Sequence, residues 1–200
     1  MPRTKEVFES MREATRQKIE TAALPLFARK GLSVTISEIA QAAEISKGLL
    51  YNHYPSKEAL IAELLRQAIT ISALGINDVA MTENTAAVKI EQIAVMICEM
   101  LTTDNHPGTH YFMFMIQVGL GKFPMQEAAY SAALPNPIES LAQIITTGQA
   151  DGTVVDGDPI QLAILFWATV QGLCCYVMSN MAIPICSKAI ANILLKGNRP

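Results

Sequence analysis

Apolar residues recur at three- and four-residue spacing along most of this chain, and no stretch alternates apolar with polar as a half-buried strand would. The pattern predicts an all-α protein of about nine helices. A first helix is expected from about Thr15 to Lys30, with Ile19, Ala22, Ala23, Leu26 and Phe27 facing inward, Pro25 producing a local kink and Gly31 ending it in a left-handed turn. Residues 1–14 read as a frayed arm or an extra helical turn. A fourth helix is expected from Lys57 to about Leu74, ended by Gly75-Ile76-Asn77, with Asp78–Asn84 as loop. Further helices follow over Thr85–Thr103, Thr109–Gly119, Met125–Leu134 and Ile138–Gln149. Asp158-Pro159 then caps one that runs to Asn180, and Pro184 opens the last, to Lys196.

The stretch Thr35–Leu60 carries the densest local signals. Thr35 followed by Glu38 is a capping box, so a helix begins at Ile36. Ile39, Ala40 and Ala43 give it a narrow face that a second helix can approach closely. Glu44-Ile45 makes the corner, Ser46 caps the next helix, Leu50 and Tyr54 point inward, and Pro55-Ser56 stops it and caps the following one. Two short helices around a small-residue corner form a helix-turn-helix, which lays its second helix in the DNA major groove.

At these residues a family resemblance becomes specific. The run ISKGLLYNHYPSKEAL resembles the operator-binding signature of the TetR family of bacterial transcriptional regulators, and IETAALPLFARKGL is similar to that family's first helix. Gly48, Tyr51, His53, Tyr54, Ser56 and Lys57 stand together in its register, and the resemblance covers Ile19 to about Leu65. It implies an N-terminal three-helix DNA-binding domain, residues 1–56, and a helical ligand-binding and dimerisation domain, residues 57–200. The DNA contacts it implies are Thr35, Ser37, Ser46, Lys47, Gly48, Leu49, Tyr51, Asn52, His53 and Lys57. Tyr51, His53 and Lys57 match the family's phosphate-contacting positions, and Leu49 one that faces bases. Two departures stand out: the link from Gly31 to Ile39 is one residue shorter than usual, and Glu44 occupies a corner where the family carries glycine.

The same resemblance implies an effector pocket in the body. Its expected lining is Met96, Met100, Tyr111, Met115 and Trp167, and with no interior Arg or Lys in that region the expected ligand is small and apolar or aromatic. The helix from Pro159 to Asn180 is apolar all round, which needs cover on both sides. A homodimer through that helix and the Pro184–Lys196 helix supplies it. The implied function is a dimeric, ligand-responsive regulator on a palindromic operator, most readily a repressor released by its effector. The alternatives are an activator of the same fold, or a ligand-binding protein whose head no longer reads DNA, a possibility that Glu44 keeps open.

Charge and composition agree. The net charge is −3, but residues 1–70 carry ten Lys and Arg against eight Glu, so a mildly basic head sits on an acidic body. Four cysteines without metal spacing read as a reduced, cytosolic protein. The charged N-terminus is not a signal peptide. Pro159–Ser187 lacks charge, yet Gln161, Thr169, Gln171 and Ser179 interrupt it, which favours a buried helix over a membrane span. His106 and His110 lie four apart without further ligands, so no metal is expected, and no cofactor. No nucleophile constellation, carboxylate pair or phosphate loop supports an enzyme.

Overall fold

A computed structural model of the chain describes residues 5–120, 136–179, 181 and 184–197. The described elements are all helical: α1 Lys5–Lys30, a 3₁₀ turn Gly31–Ser33, α2 Ile36–Ala42, α3 Lys47–His53, α4 Lys57–Ala80, α5 Ala86–Thr102, α6 Pro107–Leu120, α7 Pro137–Ala150, α8 Pro159–Met178 and α9 Ser187–Ala191. The expected helix over 125–134 lies outside the described residues, as does Asn180.

The caps sit where local chemistry places them. Thr35 accepts from the Glu38 amide while the Glu38 carboxylate accepts from the Thr35 amide, a complete capping box. Ser46 accepts from the Leu49 amide, Ser56 from Ala59, Thr85 from Val88 and Asp158 from Gln161. Each such cap satisfies an amide that the helix itself leaves unpaired, typically contributing about 1 kcal/mol. Gly31, at φ 65°, takes the left-handed conformation expected where α1 ends.

Four boundaries differ from the sequence reading. α1 begins at Lys5 rather than Thr15, so the expected arm is largely helix, and the helix continues through Pro25. Within it Leu24 is buried while Leu26 is only half-buried. α4 passes Gly75 and ends at Ala80, because Ile76 and Val79 are buried and hold the extra turns against their surroundings. The last helix shrinks to Ser187–Ala191. Beyond it the chain pairs instead with the loop after α7: Val154 and Leu195 form an antiparallel bridge, and Val155 and Lys196 donate to Leu194 and Thr153 at 2.9 Å each. Gly148 makes room for that loop, since a Cβ there would lie 2.2 Å from Val154 Cγ2.

The chain gathers into two compact units. One contains the residues through Gln67 together with α6 from His110 onward. Its core is Ile19, Ala23, Phe27, Ile39, Leu50, Leu60, Leu64, Phe114 and Val118, all at most 1% exposed. Each large apolar side chain among them contributes about 1.5–3 kcal/mol by leaving water. Phe27 and Phe114 meet at 5.7 Å between ring centroids. The other unit contains Ala68–Thr109 and the C-terminal part of the chain. In it α5 packs on α7, α8 and α9, burying the stripe Ile90, Ile93, Ala94, Ile97 and Leu101, which recurs at helical spacing.

Candidate nucleic-acid interface

The scaffold of α2 and α3 is built by its inward residues. Ile39 and Ala40 of α2 and Leu50 of α3 are buried, and Tyr54 closes α3 by donating its amide to the Leu50 carbonyl. At the corner, the Ile45 amide donates to the Ala40 carbonyl (2.9 Å) and the Glu44 amide to the Gln41 carbonyl (3.0 Å). This reciprocal pair is the Schellman ending of a helix, whose left-handed position normally takes glycine. Here Glu44 holds it at φ 50°. A non-glycine residue in this conformation carries strain of about 1 kcal/mol. The Glu44 carboxylate lies 3.5 Å from Lys18 Nζ, with both groups largely in solvent, so the pair contributes little.

With that frame set, the outward residues are Thr35, Ser37, Ser46, Lys47, Gly48, Leu49, Tyr51 and Asn52, exposed or partly so. They lie on α2, at its cap, and at the start of and along α3. Their chemistry suits a duplex: a lysine and a phenol for phosphate, an amide for a base edge, and an aliphatic side chain for a thymine methyl. Two other expected contacts are less free. Lys57 spends a proton on the Leu32 carbonyl at 2.8 Å, tying α4 to the chain just after α1. His53 is half-buried, and its Nδ1 is buried without a hydrogen-bond partner. Burial, followed by the charges of Arg12 and Arg16, lowers its pKa, so the ring is neutral at pH 7.

There is also a polar cluster that periodicity does not show. Glu20 on α1 accepts from the Tyr54 phenol and, at 2.9 Å, from Gln67 Nε2. Gln67 also donates to Glu63 (3.0 Å) and accepts from the Tyr111 phenol (2.8 Å). Arg66 makes a forked pair with Glu63 at 2.6 and 3.1 Å. The Arg16 guanidinium stands 5.6 Å over the Tyr54 ring and 3.9 Å from Glu20. In sequence these residues are far apart, and only the spacing of Glu63, Arg66 and Gln67 hints at a shared face.

The expected pocket residues fall in both units. Tyr111 and Met115 belong to the first unit, where the Tyr111 hydroxyl is committed to Gln67. Met96, Met100 and Trp167 belong to the second. Met96 is exposed, and with Val79, Val88 and Val95 it lines an open apolar groove of about 600 Å³, rimmed by Asp78 and Glu91. Met100 and Trp167 are half-buried, and Trp167 meets Phe166 edge to face at 5.7 Å. His106 Nδ1 accepts from the Gly108 amide at 3.0 Å, and His110 is buried in α6.

A three-helix head with a helix-turn-helix, in a chain whose other described elements are also helical, defines a helix-turn-helix protein. The comparisons agree. The family model for "Bacterial regulatory proteins, tetR family" matches residues 19–64. The chain is 50% identical to the HTH-type transcriptional regulator YuxN of Bacillus subtilis over 56 residues, a match that covers 28% of this chain and only 19% of that protein. It is 26% identical to RutR of Escherichia coli O157:H7 over 159 residues, covering 79% of this chain and 73% of RutR. The chain also shares the fold of PfmR, a TetR family transcriptional regulator from Thermus thermophilus: the TM-score is 0.67 at 20% identity, over 86% of this chain and 92% of that one. Residues 19–64 thus match the TetR family's model, and the chain shares the fold of solved TetR-family regulators.

Proposed function

We propose that the protein is a cytoplasmic, DNA-binding transcriptional regulator that reads a palindromic operator as a homodimer. The observation that carries this reading is the exposed row Lys47, Gly48, Leu49, Tyr51 and Asn52 on α3, held by buried Leu50 and Tyr54. Lys47 and Tyr51 bind backbone phosphate, while Leu49 and Asn52 read base edges. The cap and corner residues Thr35, Ser37 and Ser46 approach the backbone of the duplex. Two-fold symmetry of the protein is matched by two half-sites about one helical turn, or a multiple of it, apart.

The dimer forms on α8. Ile164, Leu165, Ala168, Thr169, Cys175 and Tyr176 are exposed along it, and an apolar row of this length is unusual on a lone subunit. The protein acts as a repressor, and a small apolar or aromatic effector releases it. The groove containing Met96 suits that ligand, and its acidic rim favours a neutral or cationic molecule over an anionic one. For release, the effector must bind the operator-free conformation more tightly than the operator-bound one.

The test is retention of genomic DNA fragments by the purified protein at two salt concentrations, with sequencing of what is held. A palindrome whose retention falls steeply with salt, and which is lost in Lys47→Ala/Tyr51→Ala, supports the reading. An undiminished salt slope in that double variant would overturn the assignment of these residues.

A further inference from the structure

Cys98 lies on α5 and Cys186 at the N-terminal cap of α9, two helices that pack together although the cysteines are far apart in sequence. The Cys98 sulfur is 3.8 Å from the carbonyl oxygen of Ile185, the residue bonded directly to Cys186. A carbonyl oxygen sits about 2.8 Å from the next Cα across a trans peptide. Adding that to the 3.8 Å contact places the Cys186 Cα within about 6.6 Å of the Cys98 sulfur. Cys186 caps α9 without any side-chain hydrogen bond, so its thiol is not held elsewhere by a capping role. Pro184–Cys186 lies outside any helix, so it can shift without breaking a helical ladder.

We propose that Cys98 and Cys186 form a reversible disulfide when the protein meets a peroxide. Cys186, exposed, is the thiol that encounters the oxidant, and half-buried Cys98 resolves it. The Cys186 thiolate attacks one peroxide oxygen: an S–O bond forms, the O–O bond breaks, and hydroxide leaves and takes up a proton. The Cys98 thiolate then attacks the sulfenic sulfur, forming the S–S bond and expelling a second hydroxide, which leaves as water. Two thiols are oxidised and one peroxide is reduced to two waters, and a dithiol reverses the bond by exchange.

The other two cysteines do not compete for this role. Cys174 is fully buried, and burial pushes its thiol up to about 12, which leaves almost no thiolate to react. Cys175 is exposed, but it lies on α8 beside Cys174, and two adjacent helical residues do not face each other. The bond closes a large loop and pins the segment before α9 to α5, a covalent constraint on the body absent from the reduced protein.

The experiment treats the full-length protein with hydrogen peroxide, blocks free thiols with N-ethylmaleimide and maps peptides by mass spectrometry. The expected result is a Cys98–Cys186 cross-linked peptide, monomeric on non-reducing gels, reversed by dithiothreitol, with two of the four thiols lost to titration. Cys175→Ser should leave it intact, while Cys186→Ser and Cys98→Ser each abolish it. If Cys98→Ser misfolds by circular dichroism, Cys98→Ala serves in its place. Oxidation of Cys186 to sulfinic acid without pairing, or a bond from it to another copy of the chain, overturns the proposal.

Discussion

Tyr54, the residue that closes α3, donates its phenol to the carboxylate of Glu20 on α1, 34 positions away. The Glu20 side chain is only 12% exposed, and its charge is met by Tyr54, by Gln67 and by the nearby Arg16. Burial, and then the bond to Glu20, drive the phenol's pKa up, so it stays protonated and remains a donor at every physiological pH. One hydrogen bond thus ties the end of the outward-facing helix to the long first helix.

Tyr54→Phe removes that donor and keeps the ring. A bond to a charged, half-desolvated acceptor is worth about 1.5–3 kcal/mol, so urea unfolding of the variant should show a loss of about that size. Operator binding should weaken as well, because the end of α3 is less firmly held. An unchanged midpoint would mean that Arg16 and Gln67 satisfy Glu20 without help.

Glu44→Gly relieves the left-handed strain at the corner. The gain is about 0.5–1 kcal/mol after the extra chain entropy that glycine carries. It also removes a negative charge beside the proposed DNA surface, so operator affinity at low salt should rise. A fall in stability would show that the Lys18 pair outweighs the strain.

The capping box predicts a pH signature. Lys30 at 2.8 Å, followed by the Thr35 amide and hydroxyl, lowers the Glu38 pKa to about 2. A carboxyl whose pKa is depressed on folding contributes stability above its unfolded value near 4.5 and loses it as pH falls toward the folded value. The difference in stability between the protein and Glu38→Gln should therefore be present at pH 6 and shrink from about pH 5 down to about pH 2. Because both partners of the Lys30–Glu38 pair are open to solvent, added salt should reduce the difference at pH 6. Parallel unfolding midpoints at all pH values would contradict the assignment.

Leu165→Asp tests the proposed dimer. Leu165 is 61% exposed, so the charge does not disturb a core. Light scattering after size exclusion should show a mass that halves in the variant while helix content is unchanged. A mass equal to that of the parent protein would place the interface elsewhere.

Local chemistry by itself determined the starts of α2, α3, α4, α5 and α8. Thr35 with Glu38, Ser46, Ser56, Thr85 and Asp158 with Pro159 each need only neighbours three residues away, so a cap is legible in a linear text. The same holds for the buried stripe of α5 and for the left-handed end at Gly31. Helix ends depended on more distant partners. α4 continues past Gly75 because Ile76 and Val79 are buried, and the last helix stops early because Leu195 pairs with Val154. The cluster of Glu20, Tyr54, Gln67 and Tyr111 was hidden for the same reason: each residue alone reads as an ordinary polar position on a helix. Only folding brings α1, α3, α4 and α6 close enough for a half-buried carboxylate to meet those particular donors, and that meeting is a property of the tertiary structure, not of any one segment.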